Sequence, residues 1–265
     1  MQNHKFIFIG GVHKSGTSLL HDIIRNHPEI SGFVNTGVPQ DEGQLLQSVY
    51  FPAFAYGGAG RFCFQEESYM DEHHPLATPE SAKQLFSDWS HYWDLSKYYL
   101  VEKSPPNIIK TRFLQELFPT SMFLIILRHP IAVAYATQKW RNDSIVSLID
   151  HTLCCYERFL EDRDFLEKSS VLTYETLIRK PQETIDRIFT WIGVKSYKIE
   201  QEIASGINDK YIKKWKEDQN RTSLFPNRGL TKKNRKGKWD LEKRANAFGY
   251  SLIEPEQNIS SDNAN

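Results

Sequence analysis

Between residues 6 and 20 the chain reads FIFIGGVHKSGTSLL. Gly10, Gly11 and Gly16, a single lysine (Lys14) and the hydroxyl residues Ser15, Thr17 and Ser18 fall within nine positions. That set suits an anion. The first N–H groups of a helix lack intrahelical partners and point outward, and the helix dipole adds positive potential there. Gly10 and Gly11 allow a tight turn, and Gly16 keeps a side chain out of the approach. Thr17 and Ser18 add hydroxyl donors, and Lys14 reaches an anion from the loop side. A nucleotide phosphate loop carries Lys and then Ser or Thr directly after its second glycine. Here Thr17 and Ser18 follow Gly16, and Lys14 comes two residues before it.

The elements around this loop must hold it rigidly. KFIFIGG reads as a short buried strand closed by glycine. Leu19, Leu20, Ile23 and Ile24 recur at helical spacing until Pro28. EISGFVN predicts a second short strand, and the acids of DEGQLLQSVY (Asp41–Tyr50) predict a helix N-terminus. Residues 51–78 alternate glycines and aromatics without a period. They predict a long, semi-ordered excursion, either a lid on the acceptor side or a wandering connection packed on its aromatics. Helix follows over Pro79–Asp94, strand over Tyr99–Glu102 and a proline-started helix over 105–117. Met122–Leu127 is apolar throughout, as in a parallel strand covered on both faces. Helices are expected at 131–140 and 144–165, then a strand in SSVLTYE and a helix in KPQETIDRIFTWIGV with Gly193 at its end. Strand–helix alternation from residue 5 to about 192 predicts a parallel α/β sheet.

Composition narrows the partners. Across 265 residues Lys+Arg and Asp+Glu are both 33, so the basic excess of a nucleic-acid binder is missing. Three cysteines, Cys63, Cys154 and Cys155, form no CxxC and predict reduced thiols, with neither a disulfide frame nor a metal site. The apolar run Phe6–Ile9 is too short for a signal peptide, and no stretch reaches membrane-span length. A cytoplasmic protein is the expectation.

GVHKSGTSLL resembles the 5′-phosphosulfate-binding loop of sulfotransferases, G-x-x-[KR]-S-G-T-[ST]-x-L, in which the basic residue precedes the serine as Lys14 does. Three further segments follow in the family's order, so that the resemblance spans residues 6 to about 192. LRHPIAVAYA is similar to the 3′-phosphate segment R-x-P-x-x-x-x-x-S, with Arg128 and Pro130 in place and Ala136 where the family has serine. An arginine fork matches a phosphate bidentately. LVEKSPPN is similar to [ED]-K-[ST]-P, and LTYETL to Y-E-D-L.

The resemblance implies a phosphate-loop-type α/β fold, a parallel sheet flanked by helices on both faces, filling one domain over residues 1–254 ahead of a disordered tail, 255–265. It implies 3′-phosphoadenosine 5′-phosphosulfate (PAPS) as sulfuryl donor, 3′,5′-ADP as product and no metal. Gly11, His13, Lys14, Ser15, Gly16, Thr17, Ser18 and Arg128 would hold the cofactor, with Tyr174 near the adenine or simply in the core. Lys14 would stabilise the leaving oxygen and Lys103 the sulfuryl oxygens. Glu42 aligns best with the family's glutamate base. Asp41 is its rival, and either acid would also serve as the charge at a helix start, a role Asp41 fits better. His13, His73, His74 and His129 are the histidine alternatives. The basic run Arg228–Lys238, within 221–238, contains Arg235, Lys236 and Gly237, similar to an R-K-G element that closes over the cofactor; otherwise it is a solvated face. The motif combination and the aromatics at 51–64 lean toward a carbohydrate or glycolipid acceptor. Two alternatives stand beside this reading. One is an ATP-dependent kinase, which needs Lys at position 17 and an acid in place of Arg128. The other is a nucleotide-binding module without catalysis.

Overall fold

The computed structural model describes residues 3–204, 206–221 and 240–256. Five parallel strands, β1 (Lys5–Gly11), β2 (Ile30–Gly32), β3 (Tyr99–Lys103), β4 (Met122–Leu127) and β5 (Ser169–Thr173), form one sheet in the order β2-β3-β1-β4-β5. The alternation of side chains divides it into two buried faces. Ile7, Ile9, Val101, Leu124 and Ile126 pack against α1 (Thr17–Arg25), α6 (Tyr174–Arg179) and α7 (Pro181–Ile192). Phe6, Phe8, Leu100 and Phe123 face the other way, onto α2 (Pro79–Ser90) and α3 (Thr111–Leu117). On that same side Ile125 and Leu127 meet α4 (Pro130–Gln138), α5 (Ile145–Arg163), α8 (Asp209–Arg221) and α9 (Leu241–Asn246). Helices therefore flank both faces of an α/β sheet.

Register decides what can meet at the sheet's C-terminal edge. Ile9 pairs with Lys103 on one side and with Leu124 on the other, and Gly11 pairs with Ile126. The loop after β1 thus lies between Lys103 and the Arg128 that follows β4. The chain also reverses its winding direction across β1, which opens a crevice beyond the strand ends.

Two expected elements take other forms. No helix runs over 41–50. Gln40 and Asp41 are left-handed (φ 57° and 50°), Glu42 is extended, and only 3₁₀ turns at Pro39–Asp41 and Gly43–Leu45 form. Gly43 explains the departure: a Cβ there would lie 2.3 Å from Glu102 Oε1, so the chain presses onto β3 where a helix would stand off. The helix expected over 105–117 begins as a 3₁₀ turn, Pro105–Ile109, and becomes α3 only at Thr111. Residues 51–78 run through three 3₁₀ turns, with Phe62 and Met70 fully buried. Cys63 there meets Cys154 of α5, thiol to thiol at 2.9 Å. Arg235, Lys236 and Gly237, with all of Arg228–Lys238, lie outside the described residues, as do 257–265 of the expected tail.

Candidate active site

The loop after β1 is built by steric exclusion. A Cβ on Gly11 would lie 2.5 Å from Ser15 Oγ, and Gly16 sits at φ 106°, where a Cβ would stand 2.6 Å from the Tyr174 ring. Only glycine fits either place. Gly16 leads straight into α1 with no side chain capping the helix, so the first amides are left for a ligand. Lys14 is itself left-handed (φ 69°). Gly16, Thr17, Ser18 and Leu19 line a cavity of about 380 Å³, together with His13, Lys14, Gln40, Glu42, Arg128 and Tyr174. Ser15 turns inward beneath Gly11, and its hydroxyl is buried without a partner.

Positive charge collects on one wall. The Lys14 ammonium lies 3.4 Å from the centre of the Trp140 ring. Partial burial, then Lys139 and Arg128, lower the Lys14 pKa. Arg128 is buried, with its guanidinium 4.2 Å from the Tyr174 ring centre. Nη1 donates to the Lys14 carbonyl (2.6 Å), while Nε and Nη2 donate to Asn208 Oδ1 (2.9 and 2.7 Å). Asn208 in turn donates to Glu175 Oε1 at 2.6 Å. Tyr174 is thus both a buried residue and a wall of the cavity. Asn208 carried no local sequence signal, and Glu175 was hidden inside LTYETL.

Glu42 lines the same cavity and sits on an acid–lysine cluster whose Lys103 does not line it. Lys103, fully buried, donates to the Gln40 carbonyl (2.6 Å) and lies 3.6 Å from Glu42 Oε1. The left-handed backbone at Gln40 and Asp41 accompanies this contact. Glu42 is 8 % exposed. Burial raises its pKa against the opposing pull of Lys103 and a Gln44 hydrogen bond, which makes it a stronger base than a solvated carboxylate. Lys103 is lowered by burial, against the pull of Glu42 and Glu102. Behind them Glu102 accepts from Ser104 Oγ (2.6 Å) and from Asn107 Nδ2, and burial pushes it up to about 7.

Of the other candidates, His13 lines the cavity and the rest are occupied or remote. Asp41 accepts from the Thr36 amide and hydroxyl (2.8 and 2.7 Å). Burial alone would raise it, but those bonds outweigh burial and leave it below its usual value. It is a turn clamp. His13 is pushed down to about 4 by burial, Lys103 and Lys14. His129 caps α4, accepting from the Ile131 amide at 3.3 Å. His73 and His74 do not line the cavity. Ala136 is buried in α4, and the neighbouring Thr137 is buried as well and does not line the cavity.

A glycine-cradled helix start at the C-terminal edge of a parallel sheet, with a buried arginine after the neighbouring strand, gives an α/β protein whose free loop amides suit an anion. A model of the sulfotransferase family matches residues 7–198, and the chain belongs to that family. Protein-tyrosine sulfotransferase 2 of Gallus gallus is 27 % identical over 206 residues, covering 71 % of this chain and 51 % of the relative. The chain therefore spans about half the length of that relative. Two solved structures share the fold. The sulfotransferase domain from the curacin biosynthetic pathway aligns with TM-score 0.54 and 15 % identity over 94 % of this chain and 99 % of that one. The sulfotransferase domain of the Synechococcus PCC 7002 olefin synthase aligns with TM-score 0.56 and 18 % identity over 94 % and 95 %. Among the described residues no helix is long and apolar enough to cross a membrane, and no cluster of metal-ligand type occurs.

Proposed function

We propose that this chain transfers a sulfuryl group from PAPS to an acceptor hydroxyl, with Glu42 as general base. The observation that carries the reading is one cavity lined by an uncapped helix start, Lys14, Arg128 and Glu42, with Lys103 paired to Glu42 behind it. The donor fits its residues. Gly11 and Gly16 form a cradle that a Cβ would fill, and Ser15 Oγ and His13 Nδ1 are buried polar atoms without partners.

PAPS supplies the sulfuryl group and leaves as 3′,5′-ADP. The amides of residues 16–18 and the Thr17 and Ser18 hydroxyls hold the 5′ end, and Arg128 holds the 3′-phosphate. Glu42 takes the proton from the acceptor oxygen as that oxygen bonds to sulfur. Lys14 meets the negative charge that builds on the departing phosphate oxygen when the bond from sulfur to it breaks. Lys103, expected from the resemblance to steady the sulfuryl oxygens, is buried behind Glu42 and instead favours its charged form. The chemistry is positioning and electrostatics.

For the acceptor, a carbohydrate or glycolipid hydroxyl suits the exposed rings of Phe51 and Phe54 in the 51–78 excursion. A tyrosyl phenol is the second reading, favoured by the Gallus gallus relative. A panel of glycosides and tyrosyl peptides with labelled PAPS separates them. Calorimetry tests the donor. Binding of 3′,5′-ADP is expected to be tighter than that of ADP or ATP and independent of Mg²⁺. Preference for ATP with Mg²⁺ would turn the reading to a kinase. Glu42→Gln is expected to keep 3′,5′-ADP binding and to lose transfer by about a hundredfold or more. Unchanged transfer removes Glu42 as the base.

A further inference from the structure

We infer that Gln44 is a positioning residue for Glu42: its side-chain amide fixes one carboxylate oxygen of the base and anchors it to the backbone of the 51–58 segment. The inference rests on the reading of Glu42 given above and adds a residue to it.

Gln44 is buried, and a buried primary amide must satisfy both of its ends. Its Nε2 donates to Glu42 Oε2 at 2.5 Å, and its Oε1 accepts from the Ala53 amide at 2.8 Å. The orientation follows from the partners. The Ala53 N–H can only donate, so Oε1 faces it and the NH₂ faces the carboxylate. The backbone amide of Gln44 donates to Ser104 Oγ (2.8 Å), and Ser104 donates to Glu102 (2.6 Å), which pins the residue to β3. Glu42 is therefore gripped at both oxygens, Oε2 by Gln44 and Oε1 by Lys103 at 3.6 Å. A carboxylate held this way presents a fixed lone pair. Without Gln44 it can rotate about its terminal torsion and loses a donor that favours its charged form.

The anchor is a single hydrogen bond. Ala53 opens the 3₁₀ turn Ala53–Tyr56, whose own bonds run from Ala55 to Pro52 and from Gly57 to Phe54, so the Ala53 N–H has no role within it. A shift of the segment carrying Phe54 bears on the base directly through that contact, beside the link that Gln47 makes between the Gln44 and Tyr50 carbonyls. The charged and titratable groups around Glu42 are Lys103 and Glu102 on β3, His13 of the loop, His21 and Asp22 of α1 acting on Lys103, and the adjacent Asp41. None of them contacts Gln44 Nε2 or Oε1 through a hydrogen bond.

The test follows the Glu42 carboxyl itself, so it needs no acceptor. Infrared difference titration of the full chain, with Glu42→Gln as the blank, gives the midpoint directly. Gln44→Met keeps the volume and removes the donor. The midpoint is expected to rise by about one pH unit, a tenfold change in acidity. Ala53→Pro removes only the anchor, and its midpoint is expected to move the same way. Proline is accepted at the first position of a turn, and Pro52 at ψ 164° already suits a following proline. In both variants 3′,5′-ADP affinity should stay within about twofold, because no cofactor contact changes. Midpoints that stay within a few tenths of a unit in the folded variants overturn the inference and leave Gln44 as packing. If Gln44→Met does not fold, Ala53→Pro decides alone. Retained transfer in Glu42→Gln would instead sink the assignment of the base, and it leaves the titration result as it stands. The two failures are thus distinguishable.

Discussion

Replacing Arg128 tests the cofactor reading most sharply, because the structure says how much of its guanidinium is free. A guanidinium has five N–H donors. Three are engaged, one by the Lys14 carbonyl and two by Asn208 Oδ1, which leaves one N–H on each terminal nitrogen. Each charge-assisted bond to a phosphate is worth about 1.5–3 kcal/mol. Two such bonds give roughly 3–6 kcal/mol before the cost of stripping water from both ions. We expect about 3 kcal/mol to survive, and Arg128→Ala should weaken 3′,5′-ADP by roughly a hundredfold. ADP lacks the 3′-phosphate and should weaken far less. Arg128→Lys keeps the charge without the fork, so it should lose about tenfold. The assay is calorimetric titration of both nucleotides into each variant. The ratio of the two dissociation constants is the readout, since any general loss of folded protein cancels in it. An Arg128→Ala variant that still prefers 3′,5′-ADP by the original ratio refutes the placement of the 3′-phosphate at Arg128. It would shift attention to basic residues such as Lys139.

Three further outcomes can be measured on the same protein. Gly16→Ala forces a Cβ to 2.6 Å from the Tyr174 ring at φ 106°; it should cost about 2–3 kcal/mol and lower the melting temperature by roughly 5–10 °C. A melting curve that does not move would show that the loop relaxes freely. Glu102 is held up to about 7 against an ordinary 4.5, so the folded chain keeps a proton that the unfolded chain releases. Its contribution is full below pH 4.5 and is lost as pH rises through 7, amounting to about 1–3 kcal/mol. Glu102→Gln should therefore match the wild type in denaturant melts near the lower pH and exceed it at about pH 8; equal curves at both would contradict this. His13 and His21 are depressed to about 4 and 3, so both resist protonation, and stability should fall only when acid takes the chain below its ordinary histidine range. A histidine-proton NMR titration showing both rings charged at pH 6 would contradict it.

Much of this protein is fixed by short-range pattern. FIFIGG and MFLIIL are strands because unbroken apolar runs need cover on both faces, and GTSLLHDIIR is a helix because its apolar positions share one stripe. The glycine loop was readable for the same reason: glycines, lysine and hydroxyls sit within one turn of a helix start, and their backbone demands are local. What failed was also local reasoning. The acids at 41–42 look like a helix start, yet Asp41 clamps Thr36 while Glu42 turns down onto β3. Propensity contains no term for Gly43 pressing against Glu102, which is far away in sequence. The partners that define the site are of that long-range kind: Lys103 on the Gln40 carbonyl, Arg128 on Lys14 and Asn208, Gln44 on Ala53. Each residue type was visible in the sequence, but a hydrogen bond depends on tenths of an ångström and on direction. Only the sheet's register, which sets Gly11 beside Ile126 and Ile9 beside Lys103, brings those groups within reach of one another.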